Sequence, residues 1–262
     1  MIKTILYIHG MGGGADSRIP SVLNGWFAAN RPDVRVVVRT YPFHPGRAAG
    51  QIDAWYGELR PDLVIGESLG GVHALALFDR LSTGSRDAAV PKDFPPKGSN
   101  SLPLGTAASL LPANVNARQT PPPLLLVSPA LNAPRFLYAA RHLVRIPAIH
   151  RWLNRIYKAR EGERQALDFS PATLAAWGSF RNIARKVSSL WHRQEPGCRL
   201  SATPRPHAFF GRRDHYRRSG IVSLRAWRRL FGPGTYTCYD GSHYMEEEHL
   251  LALLIPSILE RL

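Results

Sequence analysis

A chain of 262 residues and 29.2 kDa that is 44% hydrophobic is too apolar for a disordered protein and long enough for one large domain with a full core. Its two cysteines, Cys198 and Cys238, exclude a disulfide framework and a four-thiolate zinc site, and no apolar run reaches the ~18 residues of a membrane span. The net charge of +15 points toward nucleic acid, an anionic membrane or an acidic substrate, but only 5 of the 34 basic residues are Lys, a bias that GC-rich coding also produces.

The first eighty residues alternate in period. Ile5 to Ile8 is a continuous apolar run, which predicts a buried strand. The whole opening MIKTILYIHG reads as that strand rather than as a signal peptide, since no small-residue cleavage site follows. A cytoplasmic location is the expectation. Val22, Leu23, Trp26 and Phe27 then fall on one helical stripe, Val34 to Val38 reads as a second strand, and Ile52, Trp55, Tyr56 and Leu59 recur at helical spacing. Leu63 to Ile65 is a third strand and Val72 to Leu81 a helix. Strand–helix alternation with short links predicts an α/β fold, a mostly parallel sheet flanked by helices.

The alternation stops at a Pro/Gly-rich stretch, residues 82–123, read as a flexible insertion. Leu124 to Val127 resumes as a buried strand. Residues 134–200 read as a basic, mostly helical cap insertion, interrupted near Pro147 and Gly162. His207 to Phe210 predicts a strand, Leu224 to Leu230 a basic helix and Tyr236 to Tyr239 a last strand. A final helix is expected from about Met245, with three Glu in its first turn and a kink at Pro256. The whole is a single domain, residues 1–262.

The segment most informative about chemistry is Gly66-Glu67-Ser68-Leu69-Gly70, set between a strand and a helix. A serine nucleophile must project from a tight strand-to-helix turn, and side chains two residues away on either side would collide there, so glycines are needed at both places. The following helix points its dipole and the Leu69 N–H toward a developing oxyanion. The loop His9-Gly10-Met11-Gly12-Gly13-Gly14 follows the first strand, and such a glycine loop lets backbone approach a substrate carbonyl. Met11 is the first choice of second oxyanion donor and Gly12 the next, with Gly10 giving the close approach. A rival reading takes Gly10-x-Gly12-x-x-Ala15 as a dinucleotide fingerprint, with Arg39 for a 2′-phosphate, which would make the protein an NADP-dependent oxidoreductase. A third class is a non-catalytic binding protein. In the chain order Ser, acid, His, the acid is Asp214, just past a predicted strand, and the base is His243, before the last helix. Asp240 is expected to shape its loop, His215 is a minor alternative base, and His9 is expected to orient the glycine loop.

The motifs YIHGMGGG, VIGESLGG, FFGRRDHY and DGSHYM resemble those of the α/β-hydrolase superfamily, and within it small bacterial cytosolic serine esterases. The resemblance covers Met1 to about Leu81, the strand near Leu124, and about Pro206 to the end. It implies hydrolysis of a carboxylic ester or thioester through Ser68, Asp214 and His243, with no cofactor and no metal. The two insertions depart from the pattern and leave the substrate range open.

The excess charge is uneven. Pro134 to Leu200 holds 13 basic against 4 acidic residues, and Ser201 to Arg229 holds 8 against 1. Within the cap, Phe136, Leu143, Val144, Ile149, Trp152, Leu153 and Ile156 alternate with Arg135, Arg141, Arg145, Arg151 and Arg155. The first reading is an ordinary cap helix whose Arg stems lie along apolar surface. The second is a lid that touches an anionic substrate or, peripherally, a membrane. No nucleic-acid motif is present.

Overall fold

The computed structural model describes residues 2–83, 121–156, 164–192 and 205–262. Most of the insertion at 82–123 and the cap residues near Gly162 lie outside the described residues. Six parallel strands form one sheet in the order β2-β1-β3-β4-β5-β6. They are β1 (Lys3–Ile8), β2 (Val34–Val38), β3 (Leu63–Glu67), β4 (Leu124–Val127), β5 (His207–Gly211) and β6 (Tyr236–Tyr239). β1, β3 and β4 are apolar on successive residues because both faces of the sheet are covered, the usual condition of a parallel sheet.

Alternate residues feed two cores. Leu6, Ile8, Val64, Leu124, Leu126 and Phe210 pack with α2 (Pro45–Leu59), α3 (Leu69–Thr83) and α8 (Leu224–Phe231) on one face. Ile5, Tyr7, Leu63, Ile65, Leu125 and Phe209 pack with α1 (Arg18–Asn30) and the C-terminal helical run on the other. Between β4 and β5 lie α4 (Ala133–Ala140), a 3-10 turn (Leu143–Arg145), α5 (Pro147–Ile156), α6 (Pro171–Ala176), a second 3-10 turn (Trp177–Phe180) and α7 (Ile183–His192). Trp177, fully buried, joins this segment to the first core beside Phe43 and His73. Among the described residues no helix is long and apolar enough to cross a membrane.

One expectation needs correction. The last helix starts at α9 (Glu247–His249), not at Met245, whose φ is +46°. The chain turns there because Glu246 reaches back to the Ser242 N–H. At Pro256, where a kink is expected, a π-helical turn, Leu250–Leu254, precedes α10 (Ile255–Leu259). The wider turn makes room for a ring that would crowd a preceding carbonyl in α-helical register. In the cap, no described side chain of α5 is fully buried, but Ile149 and Leu153 are half-buried and Leu153 packs against the first core.

Candidate active site

β1 leads outward to β2 in one direction and to β3 in the other, so the sheet order reverses beside the ends of β1 and β3. A crevice forms at such a switch point, beyond the carboxyl ends of the strands. Here it is a cavity of about 440 Å³ lined by residues following five of the strands, among them Met11, Ser68, Ala130, Tyr216 and His243.

Ser68 sits between β3 and α3 with φ +52°, a left-handed conformation that costs a non-glycine residue energy and is held by its surroundings. Its N–H donates to the Val127 carbonyl at 2.8 Å, and its carbonyl accepts from Ala130 at 3.0 Å. The flanking glycines are required by contact. A Cβ on Gly70 would lie 2.1 Å from the Ile8 carbonyl oxygen, and one on Gly66 would lie 2.8 Å from the Gly71 Cα.

His243, in the loop after β6, places Nε2 2.9 Å from Ser68 Oγ and Nδ1 2.8 Å from Asp214 Oδ2. Asp214 follows β5, and its Oδ1 accepts from the Tyr216 N–H at 2.8 Å. Both side chains are almost wholly buried. With Nδ1–H donating to Asp214, the neutral imidazole presents the lone pair of Nε2 to the Ser68 hydroxyl. Three side chains spread over the sequence therefore form one hydrogen-bonded line. The other candidates lie elsewhere. His215 has its ring 6.1 Å from that of His243, and Asp240 is exposed and pairs with Arg213 at 3.4 Å.

The glycine loop stands against the serine. A Cβ on Gly10 would lie 3.2 Å from Ser68 Cβ. Met11 and Leu69 both line the cavity, and neither N–H donates to a described residue. Gly12 differs from the expectation. Its N–H is already taken by Gln165 Oε1 at 3.0 Å, which leaves Met11 as the free donor of the loop. Gln165 is the residue that sequence reasoning missed. It is buried, its Nε2 donates to the Tyr41 carbonyl at 3.0 Å, and its own N–H donates to the Gly13 carbonyl at 2.8 Å. Two bonds from the cap thus fix the loop and a third ties Gln165 to Tyr41, all between partners more than a hundred residues apart in sequence.

His9 stacks on Tyr41 at 4.3 Å, and its Nδ1 lies 2.7 Å from the Gly10 carbonyl. Burial lowers its pKa to about 4, so it is neutral near pH 7. Glu67, beside the serine, accepts from the Tyr7 hydroxyl at 2.8 Å. Burial pushes its carboxyl up from the ordinary value, against the opposing effects of Tyr7, His243 and the Gly10 backbone. Among the described residues no cluster of His, Cys, Asp or Glu is placed to hold a metal ion. The dinucleotide reading fits poorly. α1 begins at Arg18 instead of on the glycines, so no helix N-terminus meets the turn, and Arg39 is held by Glu58 through two 2.6 Å bonds.

The loop carrying His243 is tied at both ends. The Ser242 N–H donates to both Glu246 oxygens, at 3.0 and 3.2 Å, and Tyr239 Oη donates to the Ser242 carbonyl at 2.9 Å. Arg18 donates to the Tyr244 carbonyl and, at 2.8 Å, to that of Met245. Burial alone would raise the Glu246 carboxyl; bonds from Ser242 and its own backbone outweigh this and hold it at about 2. A depressed carboxyl stabilises the fold fully above its unfolded pKa of about 4.5, and the contribution is lost as pH falls through the folded value. Wild type should therefore lose thermal stability more steeply than Glu246→Gln between about pH 5 and pH 2. Parallel slopes in thermal melts over that range would show that the carboxylate contributes nothing.

The sequence matches no family model. Among solved structures, Est1E from Butyrivibrio proteoclasticus with ferulic acid bound aligns at a TM-score of 0.53 and 12% identity, over 99% of this chain and 89% of that one. A putative hydrolase from Agrobacterium vitis S4 aligns at a TM-score of 0.53 and 13% identity, over 100% and 88%. The all-parallel sheet in this strand order and full-length superposition decide the architecture. This is the α/β-hydrolase fold. Within the α/β-hydrolase fold, Ser68 occupies the strand-to-helix elbow after β3, and Asp214 and His243 occupy the loops after the last two strands.

Proposed function

We propose that the protein is a serine hydrolase that cleaves a carboxylic ester or thioester of a small molecule through an acyl-enzyme. The observation that carries this reading is the unbroken line Asp214–His243–Ser68, with bonds of 2.8 and 2.9 Å, at a cavity of about 440 Å³. His243 Nε2 takes the hydroxyl proton as Ser68 Oγ attacks the acyl carbonyl. The Leu69 and Met11 N–H groups hold the oxyanion, helped by the dipole of α3. Asp214 holds the ring in the tautomer that leaves Nε2 free and stabilises the imidazolium. The imidazolium then gives its proton to the departing alkoxide or thiolate. Water, deprotonated by the same nitrogen, attacks the acyl-enzyme and regenerates Ser68. No step draws on a cofactor.

The cavity lining is mainly apolar, with Met11, Leu137 and Ile221 beside the reacting groups, which suits an apolar acyl chain. Est1E, of the same fold, is described with ferulic acid bound. The reading is tested by treating the folded protein with a fluorophosphonate probe and mapping the labelled peptide. Covalent labelling at Ser68 is expected. Absence of labelling, or labelling confined to another residue, would overturn the proposal.

A further inference from the structure

The cap carries a surface that the chemistry above does not use. Among the described residues few large apolar side chains stand out in solvent, and four of them, Phe136, Leu143, Ile146 and Trp152, fall between α4 and α5. Trp152 is 59% exposed. Two more, Met11 and Tyr244, line the cavity beside Phe136, so this apolar surface reaches the mouth of the site. Val144 is buried and anchors the turn; among the described side chains of α5 none is fully buried, and Leu153 packs in part against the core.

The charge on this surface has one sign. Ala133 to Ile156 holds five Arg and no Asp or Glu. Arg141 lies over the Tyr138 ring at 3.4 Å, and Arg135 reaches Asn182 at 3.4 Å. Arg145, Arg151 and Arg155 make no ion pair with a described residue, and all three are exposed. On α5, Ile149, Trp152 and Leu153 share one stripe, of which Trp152 is exposed, Ile149 is half-buried and Leu153 packs in part against the core, and Arg151 and Arg155 are exposed toward the opposite side. A helix with an apolar stripe, an Arg-bearing side and little net hydrophobicity suits the boundary between headgroups and acyl chains. A soluble acidic protein would use the arginines but leave Trp152, Leu143 and Ile146 without a matching surface. An anionic bilayer uses both.

We propose that the surface formed by α4, the Leu143–Arg145 turn and α5 docks on an anionic lipid membrane, with the mouth of the cavity next to the headgroups. Docking goes beyond the proposed hydrolysis and does not depend on Ser68. Phe136 and Leu137 join the docked surface to the cavity, so lipid-soluble esters would enter without crossing water.

The test is co-sedimentation of the full chain with vesicles of phosphatidylcholine alone and of phosphatidylcholine mixed with phosphatidylglycerol. Binding to the mixed vesicles, weakened by salt, and little binding to phosphatidylcholine alone are expected. The triple variant Arg145→Gln, Arg151→Gln, Arg155→Gln should bind the mixed vesicles about 100-fold more weakly. Trp152→Ala should bind about 10-fold more weakly or worse. All these side chains are exposed, so thermal melts of both variants should match wild type. Ser68→Ala should bind as wild type does, which separates a failure of this proposal from a failure of the hydrolase reading. Equal binding to both vesicle types, no binding, or wild-type binding by the triple variant would overturn the proposal. So would tighter binding to duplex DNA than to the mixed vesicles. A dimer that Trp152→Ala dissociates would likewise assign the surface to a second copy of the chain.

Discussion

Replacing Ser68 with alanine is expected to lower ester turnover by about 10⁴-fold or more, with KM near its wild-type value. The substitution removes the attacking oxygen and leaves His243, Asp214 and the cavity lining in place. Ground-state binding, which comes from groups such as Met11, Leu137 and Ile221, is not touched. The residual rate should still exceed that in water, because the Met11 and Leu69 N–H groups remain able to hold an oxyanion. Stability should change little. The φ of +52° is strained for serine and for alanine alike, and the backbone bonds to Val127 and Ala130 survive. The measurement is steady-state hydrolysis of a soluble ester beside a thermal melt. Near-normal turnover by a folded Ser68→Ala protein would rule out the acyl-enzyme route, whatever else binds in the cavity.

The parts of this arrangement that sequence reveals are those written locally. Ile5 to Ile8 and Leu124 to Val127 are continuous apolar runs because both faces of a parallel sheet are covered, and that pattern needs no knowledge of partners. The elbow is legible for a related reason. Gly66 and Gly70 are demanded by contacts with Gly71 and with the Ile8 and His9 carbonyls, so the need appears as fixed spacing around Ser68. Asp214 and His243 are legible only by chain order and by their place after predicted strands.

Gln165 shows the limit. It is a single polar residue in a helical insertion, and the features that give it a role, the Gly12 N–H and the Tyr41 carbonyl, lie 153 and 124 residues away. Nothing near it in sequence announces that it will be buried. The start of the last helix was hidden for the opposite reason. Three consecutive Glu look like a helix first turn, but Glu246 spends its carboxylate on Ser242 in the preceding loop. The cap stayed open through composition, since apolar and Arg residues in alternation describe equally a helix that covers a core and one that faces outward. Only burial separates the two, and in α5 it is divided: Arg151, Trp152 and Arg155 are exposed, while Leu153 packs in part against the core.

Asp214→Asn carries the second large expectation, a loss of about 10⁴-fold in kcat, the size a tautomer error has in a Ser-His-Asp protease. Asp214 makes two bonds, one oxygen accepting from the Tyr216 N–H and the other from His243 Nδ1. An amide has one oxygen. Keeping that oxygen on the Tyr216 N–H turns the NH₂ toward Nδ1, which must then accept. The proton moves to Nε2, 2.9 Å from Ser68 Oγ, where it blocks the lone pair that should receive the hydroxyl proton. The volume and most of the hydrogen bonding are preserved, so the protein should fold and KM should stay near wild type. If Asp214 only shaped its loop, asparagine would keep the bond to Tyr216 and kcat would fall only a few-fold. Steady-state kcat and KM of Asp214→Asn beside wild type therefore separate a group that orients the base from one that holds a turn.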